Sequence, residues 1–322
     1  MKNRYMPYGF KHEVAKRWPI HDWIKSRKVA RLINPSIADA VILNLIHQAK
    51  PALVGRLGGT EARFLSEFKK ISSIAFLSKL IFRIKPNWIK RSKEVNTNAG
   101  FYFQNIDEVR LFSNLYFEAL SDTDILGAWG TAFSSIESEF VNKISHFVPV
   151  GMTAPWIQAY TAKTNLIPWV VALEKKRVLI ISPFIDSIKK QFANIKNVFP
   201  DSSFHNFHLL TLKAPMTVST SYPVEKSWIQ ELNLVKSKMD FIDFDVALVS
   251  AGSYSYPLAH HAKKMGRIGI HAGGGLQLFF GIMGRRWEKS DYLVEIVNDY
   301  WIRPSKEETP DTALLVENGC YW

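Results

Sequence analysis

Short apolar runs that alternate with helical patterns constrain the fold of this chain more than any other feature. Residues 177–183 read R-V-L-I-I-S-P and residues 245–250 read D-V-A-L-V-S, which are typical of strands buried on both faces. Helical periodicity follows each run, and this β-α order predicts a parallel sheet covered by helices on both sides. The same patterns predict strands at 52–57, 124–129, 207–212 and 267–271, and helices at 36–50, 61–70, 107–120, 184–196, 224–239 and 256–265.

The predicted fold class is α/β and Rossmann-like, with a mostly parallel sheet, helices on both faces and a basic N-terminal extension. We place the extension at 1–33 and a single α/β domain at 34–303. The remaining residues, 304–322, form a C-terminal tail that begins with Pro304 and ends in aromatic residues. We expect this tail to wrap over the surface of the domain.

Positive charge is concentrated in two parts of the chain, whose formal net charge is +12. Residues 1–50 hold ten Lys or Arg against three acidic residues, and eight Lys or Arg lie between Glu67 and Glu94 without an acid. The second region, a basic amphipathic insertion at 69–95, interleaves cations with Ile, Phe, Leu and Trp, which suits an anionic membrane surface. A helix packed on the core with its lysines outside explains the pattern equally well.

The sequence argues against several classes of protein. It has no helix-turn-helix, RNA-binding or zinc-finger signature, so we expect no nucleic acid partner. Cys320 is the one cysteine, which excludes an intrachain disulfide. No run of 18 apolar residues and no apolar leader is found, so we expect a cytoplasmic protein, held at the inner face of the cell membrane.

The first predicted strand ends in an unusual loop, G-R-L-G-G-T-E-A-R-F at 55–64. Gly58 and Gly59 allow the backbone to approach a ligand, and the start of the next helix offers free N–H groups to an anion. Arg56 can add a bidentate contact to a phosphate. Glu61 either performs chemistry or simply complements the helix dipole.

Three further loops are candidates for ligand binding. Residues 250–257, S-A-G-S-Y-S-Y-P, bring hydroxyls to a helix start, although a routine capped turn explains them equally well. Residues 270–277, I-H-A-G-G-G-L-Q, place three glycines and His271 after a strand, and Arg285 and Arg286 follow within reach of a diphosphate. His271 is either a ligand contact or a structural residue. Residues 96–100, N-T-N-A-G, are interpreted as a polar turn.

Familiar nucleotide and hydrolase motifs are missing from the sequence. No G-x-G-x-x-G follows the first strand, which argues against a dinucleotide site. The P-loop sequence and the serine-hydrolase G-x-S-x-G are also missing. The candidate site is therefore defined by the four loops described above and not by a known nucleotide or hydrolase motif.

G-R-L-G-G-T-E resembles the R-F-G-D-G-E motif of the GT-D type of bacterial glycosyltransferases. Residues 96–101, 124–129, 182–184, 243–254 and 273–281, and the terminal E-N-G-C-Y-W, are similar to proteins of O-antigen and capsule gene clusters. This wider similarity covers most of the chain from about residue 34. It implies that the domain at 34–303 is catalytic. Arg56, Gly58 and Glu61 match motif positions, but Gly59 stands where the motif has Asp.

The resemblance implies transfer of a sugar from a UDP-, GDP- or dTDP-linked donor to a lipid-linked or growing surface glycan. Glu61 is the expected catalytic residue, with His271 as the alternative base. Glu61 would also be the ligand of a Mn²⁺ or Mg²⁺ ion, although Gly59 in place of Asp leaves a single carboxylate. Arg56 and Arg285 would then stabilise the departing diphosphate instead. The expected donor-binding residues are Arg56, Gly58, Gly59, Thr60, Asn98, Ser250, Gly252, Ser253, Tyr254, Gly273, Gly274 and Arg285.

The sequence also allows two other functions. A phosphorylated sugar donor such as phosphoribosyl pyrophosphate would also explain glycines and arginines around a diphosphate. A peripheral, non-catalytic scaffold of a glycan-assembly complex would depend on Lys79, Arg83 and Lys90 but not on Glu61 or Arg56.

Overall fold

The computed structural model describes residues 33, 35–74, 81–128, 134–140, 143–155, 167–200, 204–218, 226–290, 293 and 296–322. The predicted N-terminal extension, except Ile33, lies outside these residues. So do residues 75–80 of the basic insertion and Trp129, the last residue of a predicted strand.

Within the described residues the strands form one seven-stranded parallel sheet, which confirms the predicted α/β, Rossmann-like class. The spatial order of the strands is β3-β2-β1-β7-β6-β4-β5. The edge strand β3 was not predicted, because its four residues end in a proline and carry little alternation. The strands are β1 (Ala52–Arg56), β2 (Ile125–Ala128), β3 (His146–Pro149), β4 (Arg177–Ser182), β5 (His208–Lys213), β6 (Val246–Val249) and β7 (Ile268–His271).

Helices cover both faces of the sheet, as the sequence predicts. Most of them connect consecutive parallel strands, which require long crossovers of this kind. In the described ranges, the α-helices are α1 (Pro35–Gln48), α2 (Gly59–Ile74), α3 (Ile81–Ala99), α4 (Ile106–Ser121), α5 (Ser134–Glu137), α6 (Ile185–Ala193), α7 (Ile195–Val198), α8 (Trp228–Met239), α9 (Ser255–Lys264) and α10 (Leu276–Phe279).

Alternating strand side chains divide the core into two layers. Leu179 and Ile181 pack toward α2, α3, α4, α8 and α9, while Val178 and Ile180 pack toward α1, α6 and α10. All four of these side chains are fully buried. Because both faces are covered, these strands consist of nearly continuous apolar residues.

The basic insertion is built largely from α2 and α3. Trp88 on α3 stacks on Phe64 of α2 with ring centroids 5.0 Å apart, so this indole packs, partly buried, against the core layer. Residues 96–99, which were predicted as a polar turn, are the last turn of α3. Gly100 ends the helix with a φ of +75°, a conformation that glycine adopts readily.

The C-terminal tail is fixed to the domain through a buried carboxylate. Glu308 is 1 % exposed and accepts hydrogen bonds from the backbone N–H groups of Asp186 (2.8 Å) and Ser187 (3.3 Å) at the start of α6. Trp322 Nε1 donates to the Glu308 carbonyl at 2.8 Å. These contacts hold the last residues of the chain against the carboxyl edge of the sheet.

Candidate active site

A cleft of about 190 Å³ opens at the carboxyl ends of β1, β4, β5, β6 and β7. In open parallel sheets this edge is where ligands bind. The described residues that line the cleft are Arg56, Gly58, Gly59, Thr60, Glu61, Asn98, Ala99, Pro183, Phe184, Pro215, Met216, Thr217, Val218, Ser250, Ala251, Gly252, Ser255, His271, Gly273, Gly274, Arg286, Glu317, Tyr321 and Trp322.

Glu61 lies in the first turn of α2 with its carboxylate folded back over Gly58. The side chain is 6 % exposed, and a Cβ on Gly58 would lie 2.2 Å from Glu61 Oε2. Burial raises the pKa of the Glu61 carboxyl, while its own backbone N–H and the charges of Arg56 and Arg63 partly offset this effect. A carboxyl group with a raised pKa is suited to accepting or donating a proton near neutral pH.

Arg56 ends β1 and places its guanidinium group across the neighbouring loop after β7. A Cβ on Gly273 would lie 2.7 Å from Arg56 Nη1, so a side chain at position 273 would collide with the cation. Burial lowers the pKa of Arg56, but an arginine stays charged in proteins. Gly273 therefore makes room for a permanent positive charge in the cleft.

His271 ends β7, and its ring lies beside the Arg56 backbone. Its ring hydrogen bonds to the backbone of Arg56, and Nδ1, the other nitrogen, has no hydrogen-bond partner among the described residues. Burial and the Arg56 charge hold the pKa of His271 well below its usual range. The imidazole is therefore neutral and weakly basic at neutral pH.

Arg286 enters the cleft from the segment that follows α10. Its Nη2 donates to Glu317 Oε2 at 2.6 Å and to Cys320 Sγ at 2.9 Å, and its guanidinium carbon lies 4.6 Å from the centroid of the Tyr321 ring. Burial raises the pKa of the Cys320 thiol to about 11, so the sulfur is protonated at neutral pH. The tail thus holds Arg286 through one carboxylate, one thiol and one aromatic ring.

The opposite side of the cleft, at the ends of β4 and β5, is largely apolar. It is lined by Pro183, Phe184, Met216 and Trp322. The Phe184 and Trp322 rings meet edge to face, with centroids 6.1 Å apart. The cleft therefore has a charged side near β1 and β7 and an apolar side near β4 and β5.

The structure brings most residues of the sequence-predicted site into this cleft. Asn98 reaches it from the end of α3, although that segment is helical and not a turn. The predicted residues that line the cleft are Arg56, Gly58, Gly59, Thr60, Glu61, Asn98, Ser250, Gly252, His271, Gly273 and Gly274.

Three predicted residues are not among those that line it. Ser253 is fully buried, and its Oγ accepts from Trp228 Nε1 at 2.9 Å. Tyr254 stacks on the same indole at 5.0 Å, so both residues belong to the core. Arg285 points to the tail and donates to the Asn318 carbonyl at 3.0 Å, while the next residue, Arg286, faces the cleft.

The metal ion that the family motif implies does not match the donor atoms of this cleft. The described residues contain no group of three or more His, Cys, Asp or Glu that could hold a metal ion. Position 59 offers no carboxylate, and Glu317 Oε2 is bound by Arg286. Divalent ions of this type prefer several hard oxygen ligands, which leaves Glu61 as an isolated candidate.

The fold and the cleft define an α/β protein with a cleft at the carboxyl edge of a parallel sheet, the edge where folds of this class bind ligands. The GT-D fold-like domain family matches residues 36–279, more than half of the chain. The chain therefore belongs to the GT-D-like family, which indicates a glycosyltransferase-like function. Comparison with curated proteins and with solved structures found no match.

No helix in the described part of the chain is both long enough and apolar enough to cross a membrane.

Proposed function

We propose that this protein transfers a sugar from a nucleoside diphosphate donor to a hydroxyl group of a glycan acceptor. The observation that carries the proposal is the buried Glu61 carboxyl at the start of α2, which lies in the same cleft as the Arg56 cation and close enough for the two charges to interact. This pair lies in the carboxyl-edge cleft of a GT-D-like domain. A donor diphosphate needs positive charge, and an attacking hydroxyl needs a proton acceptor.

The two sides of the cleft suggest how the donor lies. The diphosphate fits beside Arg56 and the backbone N–H groups that begin α2, where anions are favoured. The nucleobase fits the apolar side near Phe184, Met216 and Trp322. The sugar then lies near Glu61 and Asn98, whose polar groups can contact its hydroxyls.

The transfer step exchanges one C–O bond for another. The acceptor oxygen attacks the anomeric carbon of the donor sugar, and the bond from that carbon to the β-phosphate oxygen breaks. The nucleoside diphosphate leaves with the electron pair, and the Glu61 carboxylate takes the proton of the attacking hydroxyl. Arg56 stabilises the negative charge that develops on the leaving diphosphate.

His271 has a positioning role in this proposal. The ring is neutral, holds the Arg56 backbone and has a pKa far below the range of an effective base at neutral pH. Glu61 is therefore the better candidate for proton transfer, and His271 helps to position Arg56 through its backbone.

We also propose a lipid-linked acceptor, with the protein held at an anionic membrane surface. Support comes from exposed lysines on α3, Lys90 and Lys93, within a chain of formal net charge +12. Such a surface attracts basic segments. The Trp88 side chain gives no support to membrane contact, because it packs, partly buried, against the core through Phe64.

Thermal unfolding with UDP-, GDP- and dTDP-sugars, followed by donor hydrolysis assays on the compounds that stabilise the protein, tests the proposal. We expect one nucleotide class to raise the melting temperature and its sugar conjugate to be turned over. Phosphoribosyl pyrophosphate serves as the competing donor. If it alone stabilises the folded protein, or if no nucleotide sugar binds, the proposal is wrong.

A further inference from the structure

We propose that Arg56 and Arg286 together bind the donor diphosphate in place of a divalent metal ion. This inference rests on the proposed function, because it concerns the leaving group of the same transfer reaction. It departs from the metal site that the family motif implies.

Both guanidinium groups lie near the same glycine turn, at Gly273 and Gly274. A Cβ on Gly273 would lie 2.7 Å from Arg56 Nη1, and a Cβ on Gly274 would lie 3.7 Å from Arg286 Nη1. Arg56 comes from the end of β1, whereas Arg286 follows α10. The Tyr321 ring lies 2.7 Å from the same Cβ position on Gly274. The glycine turn thus brings two cations that are distant in the sequence close to one bare stretch of backbone and one aromatic ring.

Arg286 has donor groups left for a ligand. Its Nη2 is engaged by Glu317 and Cys320, but Nη1 is the group nearest to the glycine turn. A guanidinium group carries five N–H donors in a fixed plane, so one nitrogen can hold the tail while another binds a phosphate oxygen. The Tyr321 ring, 4.6 Å below the guanidinium carbon, keeps that plane in position.

The charge distribution of the cleft favours an anion over a divalent cation. Arg286 is close enough to Arg56 for its positive charge to lower the pKa of that arginine. A divalent cation between them would meet two permanent positive charges. The one carboxylate beside it would be Glu61, whose charge already interacts with Arg56, since Glu317 is bound to Arg286. A diphosphate at the same place meets two cations, each able to form charge-assisted hydrogen bonds.

Calorimetric titration of the full chain with UDP, GDP and dTDP, in excess EDTA and in excess Mn²⁺, tests the inference. We expect at least one of them to bind in EDTA, with a dissociation constant within about threefold of the value in Mn²⁺. Binding of a nucleoside diphosphate only in Mn²⁺ would overturn the inference but leave the transferase proposal standing. If none of the three binds in either condition, both proposals fail.

Two substitutions, Arg56→Gln and Arg286→Gln, test whether these arginines are responsible for nucleoside diphosphate binding without a metal ion. Each substitution should weaken the affinity for the best-binding nucleoside diphosphate about tenfold to hundredfold. It should weaken the affinity for the matching nucleoside monophosphate less. The ratio of the two affinities distinguishes phosphate binding from a general loss of structure. Arg110→Gln removes the same charge from an exposed site on α4 and should leave this ratio unchanged.

Equal weakening of diphosphate and monophosphate by Arg286→Gln would mean that this residue only holds the tail, which would overturn the inference. If a variant does not fold, the comparison of EDTA with Mn²⁺ on the unmodified protein still decides the question.

Discussion

Two positions in the cleft require glycine, because charged side chains fill the space that any other side chain would need. The Glu61 carboxylate occupies the space that a side chain at Gly58 would need, and the Arg56 guanidinium occupies the space at Gly273. Gly273 also has a φ of +63°, which strains any other residue. At the residue scale the site therefore depends on missing side chains as much as on present ones.

Gly273→Ala should reduce donor binding, because the new methyl group displaces Arg56 Nη1 from its position 2.7 Å away. Gly266→Ala is a matched control: its φ is +80°, but a Cβ there meets no atom of the described residues within 4 Å. Both variants should lose about 1 kcal/mol of stability from backbone strain. Only Gly273→Ala should weaken nucleotide affinity in calorimetric titration, and equal affinities would contradict the assigned position of Arg56.

Glu61→Gln should strongly reduce transfer while leaving the fold and donor binding largely intact. Loss of a proton acceptor reduces turnover about 10²–10⁴-fold. Glu67→Gln, further along α2 and paired with Lys70, removes a carboxylate outside the cleft and should keep its activity. Turnover measured by donor consumption decides between them. Full activity in Glu61→Gln would assign the proton transfer elsewhere and would agree with a non-catalytic scaffold.

At the scale of elements, the loops after strands were predictable because their signals are local. Glycines that follow an apolar run identify a strand end, and parallel strands bring such ends to one edge of the sheet. For this reason Gly58, Ser250 and Gly273 were found from sequence, although they come from three distant loops. Asn98 lines the cleft as predicted, but the local structure predicted for it was wrong, because the segment is helical and not a turn.

The part of the cleft formed by the tail was not predictable from local patterns. Glu317, Tyr321 and Trp322 have no periodicity that assigns them to a sheet edge, and their position depends on the docking of Glu308. Arg285 and Arg286 are adjacent in the sequence, but they diverge in a short 3₁₀ turn. Which of the two faces the cleft depends on long-range contacts to Asn318, Glu317 and Cys320.

Glu308→Gln should detach the tail from α6. The substitution replaces a buried carboxylate that accepts from two backbone N–H groups, and we expect a loss of about 1–3 kcal/mol in the free energy of unfolding. Glu307→Gln alters the adjacent, exposed carboxylate and should change stability much less. Urea denaturation measures both variants. Equal stability of the two would show that the Glu308 contacts do not hold the tail.

At the scale of the whole molecule, acid should destabilise the fold through His205. This imidazole stacks on Phe279 at 4.3 Å and bonds its carbonyl at 2.6 Å, and burial lowers its pKa from 6.5 to about 4. The unfolded chain therefore binds a proton more readily than the native one. Stability contributed by neutral His205 is present above about pH 6.5 and is lost as the pH falls toward about 4, by about 3 kcal/mol in total.

His205→Gln should reduce this dependence, because Gln can donate to the Phe279 carbonyl without titrating. Urea denaturation between about pH 7 and about pH 4 measures the slope. His208→Gln, at an exposed histidine on β5, should keep the slope of the unmodified protein. An unchanged slope in His205→Gln would assign the acid sensitivity to other groups.

The two faces of the molecule should bind anionic membranes differently. The double charge reversal Lys90→Glu and Lys93→Glu on α3 should weaken binding to phosphatidylserine vesicles at least about tenfold, since each lysine near such a surface contributes about 1 kcal/mol. Reversal of Lys189 and Lys190 on α6 changes net charge equally on the opposite face. Co-sedimentation compares the two, and an equal loss would indicate nonspecific attraction.

The pairing of β1 with β7 joins the first strand of the sheet to the last, with Ala52 opposite Ile268. Arg56 ends one of these strands and His271 ends the other, so the floor of the cleft does not exist in a partly folded chain. Contacts between such distant parts of a sequence form slowly. Nucleotide should bind only molecules that have completed this step, and it should stabilise them by mass action. The rate at which nucleotide binding returns during refolding should therefore report the rate at which β1 pairs with β7.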